Sequence, residues 1–186
     1  MRRIVVGITG ASGSAYGIRL LEVLKDSPEI ETHLILTTAG RKTLSLESGR
    51  TPEEVEALAD FRHDPEDLAA PLSSGSFKVD SMVVVPCSMK SLSAIVNSYG
   101  ADLLSRAADV TLKEGRKLIL CPRETPLHKG HLKLMLFAAE LGAVILPPMV
   151  AFYHKPKSVE EIVDHTVGRI LDTLEVDSDL FKRWGA

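Results

Sequence analysis

The sequence predicts an α/β domain built on a doubly wound parallel sheet, and three observations support this fold class. Short runs of Val, Ile and Leu alternate along the chain with longer amphipathic segments. The runs are continuously apolar, which is typical of parallel strands that are buried on both faces. The first run leads through a turn of small residues, Gly10–Gly13, directly into a helical pattern, as in nucleotide-binding βα units. We therefore expect residues 1–186 to form a single domain.

The elements follow one another in an alternating order. The strands are expected at Arg3–Thr9, Thr32–Thr37, Met82–Cys87, Lys117–Cys121 and Ala143–Leu146. Apolar residues at helical spacing predict helices over 14–26, 101–114, 131–141 and 158–174. The last helix begins with Ser158-Val-Glu-Glu161, the pattern of a capping box. The least regular stretch, residues 61–80, is a candidate active-site loop.

Composition limits the functional classes. Lys and Arg number 22 against 25 Asp and Glu, a net charge of −3, which argues against nucleic acid as the main partner because that binding needs a basic surface. No apolar run approaches the roughly 20 residues of a membrane span, and no signal peptide is recognised. Two cysteines, Cys87 and Cys121, provide no disulfide framework, and Cys87 is expected to be buried and unreactive. We expect a cytoplasmic protein.

The predicted strand ends carry most of the informative polar side chains. Ligands of open α/β sheets bind at the carboxyl ends of the strands. That edge collects hydroxyl groups and single Lys, Arg and Glu side chains, namely Ser12, Thr37, Ser88, Lys90, Ser91, Arg123 and Glu124. Each turn alone is ordinary, since Ser, Thr and Pro are common caps and breakers. Four such turns at one edge favour a site for an anionic ligand, most simply a phosphate ester.

The predicted ligand is a mononucleotide such as FMN. The first turn does not follow G-x-G-x-x-G, and its glycines are closer to those of short-chain dehydrogenases. A dinucleotide site would need Asp or Arg near the end of the second strand, where Thr37 stands instead. Such an enzyme would also need a Tyr-Lys pair on one helical face. Pro156 prevents a regular helix between Tyr153 and Lys157.

The sequence resembles the flavin prenyltransferases of the UbiX type over essentially its whole length. The resemblance is carried by GITGASGSAYGIRLL, PCSMKSLSAI, RAADVTLKEGRKLILCPRETPLH and AVILPPMVAFYHKP. It implies a Rossmann- or flavodoxin-like three-layer sandwich that assembles as a homo-oligomer, a dodecamer, with sites at subunit junctions. We expect the C-terminal segment to reach a neighbouring subunit.

The resemblance also implies an activity. The enzyme would join the dimethylallyl group of dimethylallyl phosphate to N5 and C6 of reduced FMN, without a metal. The product, prenylated FMN, would serve a UbiD-type decarboxylase, either in ubiquinone synthesis or in the breakdown of aromatic acids.

Individual residues take their expected roles from the same resemblance. The residues that would bind FMN are Gly10, Ala11, Ser12, Thr37, Ser88, Met89, Lys90, Ser91 and Arg123. Those that would bind dimethylallyl phosphate or lie near it are Arg106, Lys113, Tyr153, Arg169 and Trp184. The expected catalytic residues are Ser12, Glu47, Lys113 and Glu124. Lys113 would stabilise the departing phosphate, Glu124 would accept the C6 proton, and Ser12 would relay a proton or hold N5.

Plainer interpretations of these residues stay open. Arg106, Asp109 and Lys113 share one helical face, which is often a solvated ion-pair face. Arg169 borders an apolar stripe and could simply extend to solvent, and Glu47 could be an ordinary surface residue.

Two rival functions are also open. The first is a flavin-dependent decarboxylase of the cysteine-peptide or pantothenate type, which would share the fold. Those enzymes use a His after an early helix, where this chain has Glu47. The second is a non-enzymatic FMN carrier that supplies a partner protein.

Overall fold

Across residues 1–183 and Gly185, the part of the chain that it describes, the computed structural model contains one six-stranded sheet whose neighbouring strands are all parallel. The strands are β1 (Arg2–Ile8), β2 (Ile30–Leu36), β3 (Phe61–His63), β4 (Ser81–Cys87), β5 (Lys117–Pro122) and β6 (Val144–Ile145). Their spatial order is β3-β2-β1-β4-β5-β6. The predicted doubly wound fold is therefore confirmed, and the chain order reverses between β1 and β4.

The helices lie between the strands along the chain. They are α1 (Ser14–Lys25), α2 (Thr38–Glu47), α3 (Pro52–Glu56), α4 (Met89–Val96), α5 (Leu103–Lys113), α6 (Lys129–Glu140) and α7 (Val159–Leu174), with a 3₁₀ turn at Pro71–Ser73. Among these helices of the described chain, none is both long and apolar enough to cross a membrane.

The core forms two layers, one on each face of the sheet. In β1, Ile4, Val6 and Ile8 pack with the apolar faces of α1 and α7, whereas Val5 packs with α4 and α5 on the opposite face. Because both faces of β1 are covered, the strand needs apolar residues at successive positions. This burial explains the continuous Val and Ile runs of the sequence.

The predicted strands and helices are present with small differences at their ends. The stretch 61–80 is not a plain loop, because it contains β3, a three-residue edge strand beside β2. The helix α2 has no strong apolar pattern, since it buries only Gly40 and Leu44 among its ten residues. At the start of α7, Ser158 accepts a hydrogen bond from the Glu161 amide at 3.3 Å, but the Glu161 carboxylate binds the amide of Lys157 at 2.8 Å. The capping box is therefore half formed.

A polar cluster lies at the β3 side of the sheet. His33 is 3% exposed, and its Nδ1 and Nε2 atoms each lie 3.0 Å from a partner, His63 Nε2 and Glu31 Oε1. An ionised carboxylate only accepts hydrogen bonds, so His33 donates through Nε2, and when the ring is neutral its Nδ1 accepts from His63. Arg3 Nε donates to Glu31 at 2.6 Å, and the Phe61 ring stacks on His33.

This cluster predicts that the free energy of unfolding decreases as the pH falls below about 6.5. Burial, followed by the neighbouring His33, lowers the pKa of His63. The unfolded state therefore binds more protons than the folded state below the ordinary histidine pKa, which favours unfolding. Urea unfolding at about pH 7.5 and about pH 5.5 measures the loss on either side of that pKa. A His63→Gln variant should lose less stability between the two pH values, and an unchanged loss would contradict the assignment.

Candidate functional site

The turns that follow β1 and β4 meet at the point where the strand order reverses. Thr9 joins them, because its hydroxyl donates to the Pro86 carbonyl at 2.7 Å and accepts from the Ser88 amide at 2.8 Å. The Arg123 amide donates to the Cys87 carbonyl at 3.1 Å, so the turn after β5 is held at the same edge. Open α/β sheets bind their ligands at such a reversal.

A cleft of about 740 Å³ opens at this edge of the sheet. Its walls come from the turn after β1, the first turns of α2 and α4, the loop at 65–66 and the segment 97–102 before α5. Of the residues predicted to bind the flavin, those that line it are Gly10, Thr37, Ser88, Lys90 and Ser91. The volume falls within the roughly 300–1,000 Å³ of small-molecule sites.

The cleft collects the N-termini of α2, α4 and α5. Their capping residues Thr37, Ser88 and Asp102 each accept a hydrogen bond from the amide three residues on, at 3.0, 3.2 and 2.8 Å. Helix N-termini favour anions, because their amides and dipoles present positive charge. Lys90, in the first turn of α4, adds a full positive charge, whereas Glu66 and Asp102 bring carboxylates to the walls formed by the loop at 65–66 and the segment before α5. A phosphate therefore fits best near α2, α4 and Lys90.

Two glycines shape the first turn. A Cβ on Gly10 would lie 2.5 Å from the Cβ of Ala39, so α2 packs directly against the backbone of this turn. Gly13 caps α1 with a φ of 106°, in the left-handed region that favours glycine. Gly10 therefore permits the close approach of α2, and Gly13 permits the left-handed turn into α1.

Glu47, the last residue of α2, caps the neighbouring helix α1. Its Oε2 accepts from the Gly13 and Ser14 amides at 2.9 and 3.1 Å and from the Ser14 hydroxyl at 3.0 Å. Burial raises the pKa of Glu47, but hydrogen bonds from Ser12, Gly13 and Ser14 outweigh burial and hold that pKa below its ordinary value. Glu47 is therefore more than a surface residue, because it supplies the cap that Gly13 cannot.

Replacing Glu47 with Ala is expected to lower the free energy of unfolding by about 1–2 kcal/mol, the typical effect of losing a helix cap. The first amides of α1 would lose their acceptor. Urea denaturation near neutral pH measures the change. The control is Glu140→Ala, which removes an exposed carboxylate at the end of α6. Equal stabilities of the two variants would show that Glu47 is not the cap.

The other residues predicted for the flavin and for the proton step lie around the cleft rather than in its lining. Ala11 is 8% exposed, and Met89 packs against the core layer that contains α4. Arg123 and Glu124 are exposed in the turn after β5. The Glu124 carboxylate accepts from the Thr125 amide at 3.0 Å.

Arg106 lies on α5 and is held by its neighbours. It pairs with Asp109 at 2.9 Å, and its Nε donates to the Ser73 carbonyl at 3.1 Å. The i, i+3 ion pair suggested by the sequence is therefore present. The contact with Ser73 also fixes the loop before β4 against α5.

Lys113 lies at the far end of the same helix. It pairs with Glu114 rather than with Asp109, and β5 begins four residues later, at Lys117. The cap Asp102 borders the cleft, and α5 rises about 15 Å over its length. Lys113 is thus placed beside the amino edge of the sheet, away from the cleft of its own chain.

Tyr153 and Arg169 are both placed at α7, Tyr153 by a contact with this helix and Arg169 as one of its residues. The Tyr153 hydroxyl lies 2.9 Å from His165 Nε2, and Arg169 follows His165 by one turn. Arg169 donates to Asp172 at 3.2 Å, and Arg183 binds the same carboxylate at 3.0 and 2.7 Å. The Arg183 hydrogen bond is the largest cause that lowers the pKa of Asp172. The remaining predicted residue, Trp184, lies outside the described residues.

Two other side chains have structural roles. His128 caps α6, with Nδ1 accepting from the Gly130 amide at 3.0 Å. Within residues 1–183 and Gly185, no group of three or more His, Cys, Asp or Glu side chains could hold a metal ion. Cys87 is fully buried, as predicted, and burial raises the pKa of its thiol to about 12.

Sequence reasoning missed part of the cleft wall. Tyr99 and Asp102 line it, although Asp102 with Ser105 three residues on is a readable N-cap pattern. No local sequence pattern indicated the hydrogen bonds of Thr9 with Pro86 and Ser88 or the contact of His165 with Tyr153. Each of these contacts joins residues that are distant in sequence.

Comparison with known proteins places the whole chain among flavoproteins. The model of the Flavoprotein family matches residues 1–171. The flavin prenyltransferase UbiX of Escherichia coli (strain K12) is 58% identical over 186 residues, which cover 99% of this chain and 98% of that protein.

Solved structures agree with the sequence comparison. AnUbiX (PadA1), in complex with FMN and dimethylallyl pyrophosphate, has a TM-score of 0.97 and 49% identity, covering 100% of this chain and 98% of its own. A dodecameric FMN-dependent UbiX-like decarboxylase from Escherichia coli O157:H7 has a TM-score of 0.97 and 47% identity, covering 99% and 100%. The FMN-dependent cysteine decarboxylase SpaF is 14% identical with a TM-score of 0.62, which shows a common fold alone.

Proposed function

Because the chain belongs to the UbiX-type flavin prenyltransferases of the flavoprotein family, we propose that it joins the dimethylallyl group of dimethylallyl phosphate to N5 and C6 of reduced FMN. The observation that carries the proposal is the cleft at the strand-order reversal. It is lined by the N-termini of α2 and α4 and by Lys90 in the first turn of α4. AnUbiX, with nearly the same fold, was solved with FMN and dimethylallyl pyrophosphate.

The residues of the cleft fit FMN. The amides at the starts of α2 and α4, with Lys90, would hold the phosphate. Gly10 and Ser12 would lie beside the ring, and Ser12 is near enough to Glu47 to help lower the pKa of that carboxyl group. When bound, reduced FMN supplies its own nucleophile, N5, so the protein needs no nucleophilic side chain. The protein's task is to bind, orient and move protons.

Departure of the phosphate from dimethylallyl phosphate needs positive charge and a hydrogen-bond donor, because a single phosphate is a poor leaving group. Lys113, Arg123 and Arg169 would supply the charge, and the Tyr153 hydroxyl would supply the donor. In one chain these groups are dispersed, since Lys113 lies at the amino edge of the sheet and Arg169 on α7. Their dispersion supports a site that neighbouring copies complete, in a homo-oligomer such as the dodecamer of the Escherichia coli O157:H7 relative.

Bond formation at C6 requires that the C6 proton leave. Glu124 is the proposed acceptor, because it is an exposed carboxylate in the turn that ends β5, beside Arg123. Its hydrogen bond with the Thr125 amide orients the carboxyl group. Ser12 and Glu47 would hold or relay the proton at N5.

The product has a defined use in this proposal. Prenylated FMN is a cofactor, so it must be released to a second enzyme, a UbiD-type decarboxylase in the cytoplasm. That decarboxylase would act in ubiquinone synthesis or on aromatic acids.

Anaerobic incubation of the protein with reduced FMN and dimethylallyl phosphate, followed by mass spectrometry of the flavin, tests the activity. A flavin that is heavier by one C5 unit is expected. An unchanged flavin would refute the proposal and would favour an FMN carrier. Release of CO₂ from a peptide with a C-terminal cysteine, without flavin alkylation, would favour the cysteine decarboxylase.

A further inference from the structure

We propose that His165 is a positioning residue that donates its Nε2–H to the Tyr153 oxygen and so directs the phenol proton toward the phosphate of the substrate. The inference rests on the proposed function, in which Tyr153 holds dimethylallyl phosphate. It adds a residue that no sequence pattern indicated.

Tyr153 needs an anchor in the protein. It lies between β6 and α7 in a segment without regular secondary structure, and it is 46% exposed. Its hydroxyl lies 2.9 Å from His165 Nε2, and His165 is only 7% exposed. The helix α7 therefore supplies a contact that holds the hydroxyl end of the Tyr153 side chain.

The His165 ring is itself fixed on two sides. The His154 ring stacks on it at 4.7 Å with an interplanar angle of 2°. The edge of Phe181 approaches it at 4.8 Å and 67°. Phe181 fits there because Gly168 has no side chain, since a Cβ at that position would lie 2.3 Å from the Phe181 ring. These contacts leave Nε2 aimed at Tyr153.

Because His165 is neutral, its tautomer decides which group donates in the hydrogen bond with Tyr153. Burial, then His154 and Arg169, lowers the pKa of His165, so the ring is neutral near pH 7 and carries one N–H. If Nε2 accepted the hydrogen bond, the Tyr153 hydroxyl would donate its proton to His165 and would present only lone pairs to the phosphate. If Nε2 donates, the phenol oxygen accepts from His165 and the phenol proton points away from the His165 ring. Only this second arrangement lets Tyr153 and Arg169, one turn from His165, attract the same phosphate.

The test compares three variants by calorimetric binding of dimethylallyl phosphate to protein loaded with oxidised FMN, which does not react. His165→Phe keeps an aromatic ring between His154 and Phe181 but removes the donor. It should weaken binding about five- to tenfold, the effect of one hydrogen bond, with unchanged affinity for FMN. His165→Gln, which retains an N–H donor, should recover most of the loss. In a Tyr153→Phe background, His165→Phe should cause no further loss.

Two results would overturn the inference. One is an unchanged affinity in His165→Phe, and the other is an equal loss with and without the Tyr153 hydroxyl, which would indicate a purely structural role. Thermal melting of each variant checks that it is folded. Because this readout is binding, its failure is distinct from failure of the prenylation assay, which would refute the proposed function.

Discussion

Glu124→Gln is expected to bind FMN normally and to form product about 10²–10⁴-fold more slowly, the usual effect of removing a general base. Glutamine preserves the size of the side chain and can still accept from the Thr125 amide, as the carboxylate does. It cannot take up the C6 proton. The defect should therefore appear at ring closure rather than at binding or at attachment to N5.

Proton NMR of the extracted flavin separates these steps. The variant should accumulate flavin that carries the C5 unit but retains its C6 proton. Glu140→Gln, at an exposed position on α6, is the matched control and should react like the parent. Loss of the C6 proton at the parental rate in Glu124→Gln would show that another group is the base.

Mixed oligomers of Ser12→Ala and Lys113→Ala are expected to be active, although each variant alone should lose about 10²–10³-fold in rate, as when an electrostatic contact to the reacting groups is removed. Ser12 belongs to the turn after β1, and Lys113 lies near the other end of the sheet. If one copy supplies Ser12 and its neighbour supplies Lys113, random mixing leaves about one quarter of the sites intact.

The control pair combines Lys90, which lines the cleft, with Ser12, which follows Gly10 in the turn after β1. Ser12→Ala mixed with Lys90→Ala should not recover activity, because the proposal assigns both residues to the FMN site of the same chain. Recovery is measured after the two variants are denatured together and refolded. Absence of recovery with Lys113→Ala would place Lys113 and Ser12 in one subunit, or would remove Lys113 from the site.

The sequence was sufficient for the sheet and for the edge at which the cleft opens. The buried strands need continuous apolar runs, and parallel strands bring their carboxyl ends to one edge. The turns at Gly10, Thr37 and Ser88 could therefore be assigned to one cleft before the structure was known. The strand β3 was missed because it has three residues and is half exposed at the sheet edge.

The rest of the site depends on contacts that are distant in sequence. The wall at Tyr99 and Asp102 is held by a hydrogen bond from the Leu103 amide to the Pro65 carbonyl at 2.7 Å. The resemblance predicted a catalytic Glu47 and left an ordinary surface residue as the alternative, but its role as a cap had no local signal because its partner, α1, lies about thirty residues earlier. Family motifs predict Lys113 as a site residue, but motifs do not state which subunit's site a side chain completes.

The position of the new bonds tests the central claim most directly. The protein is incubated anaerobically with reduced FMN and dimethylallyl phosphate labelled with ¹³C in the dimethylallyl carbons, and the flavin is analysed by NMR. The account predicts one labelled carbon bonded to N5 and another bonded to C6, with the C6 proton lost. A flavin without label, or labelled at any other atom, would contradict it.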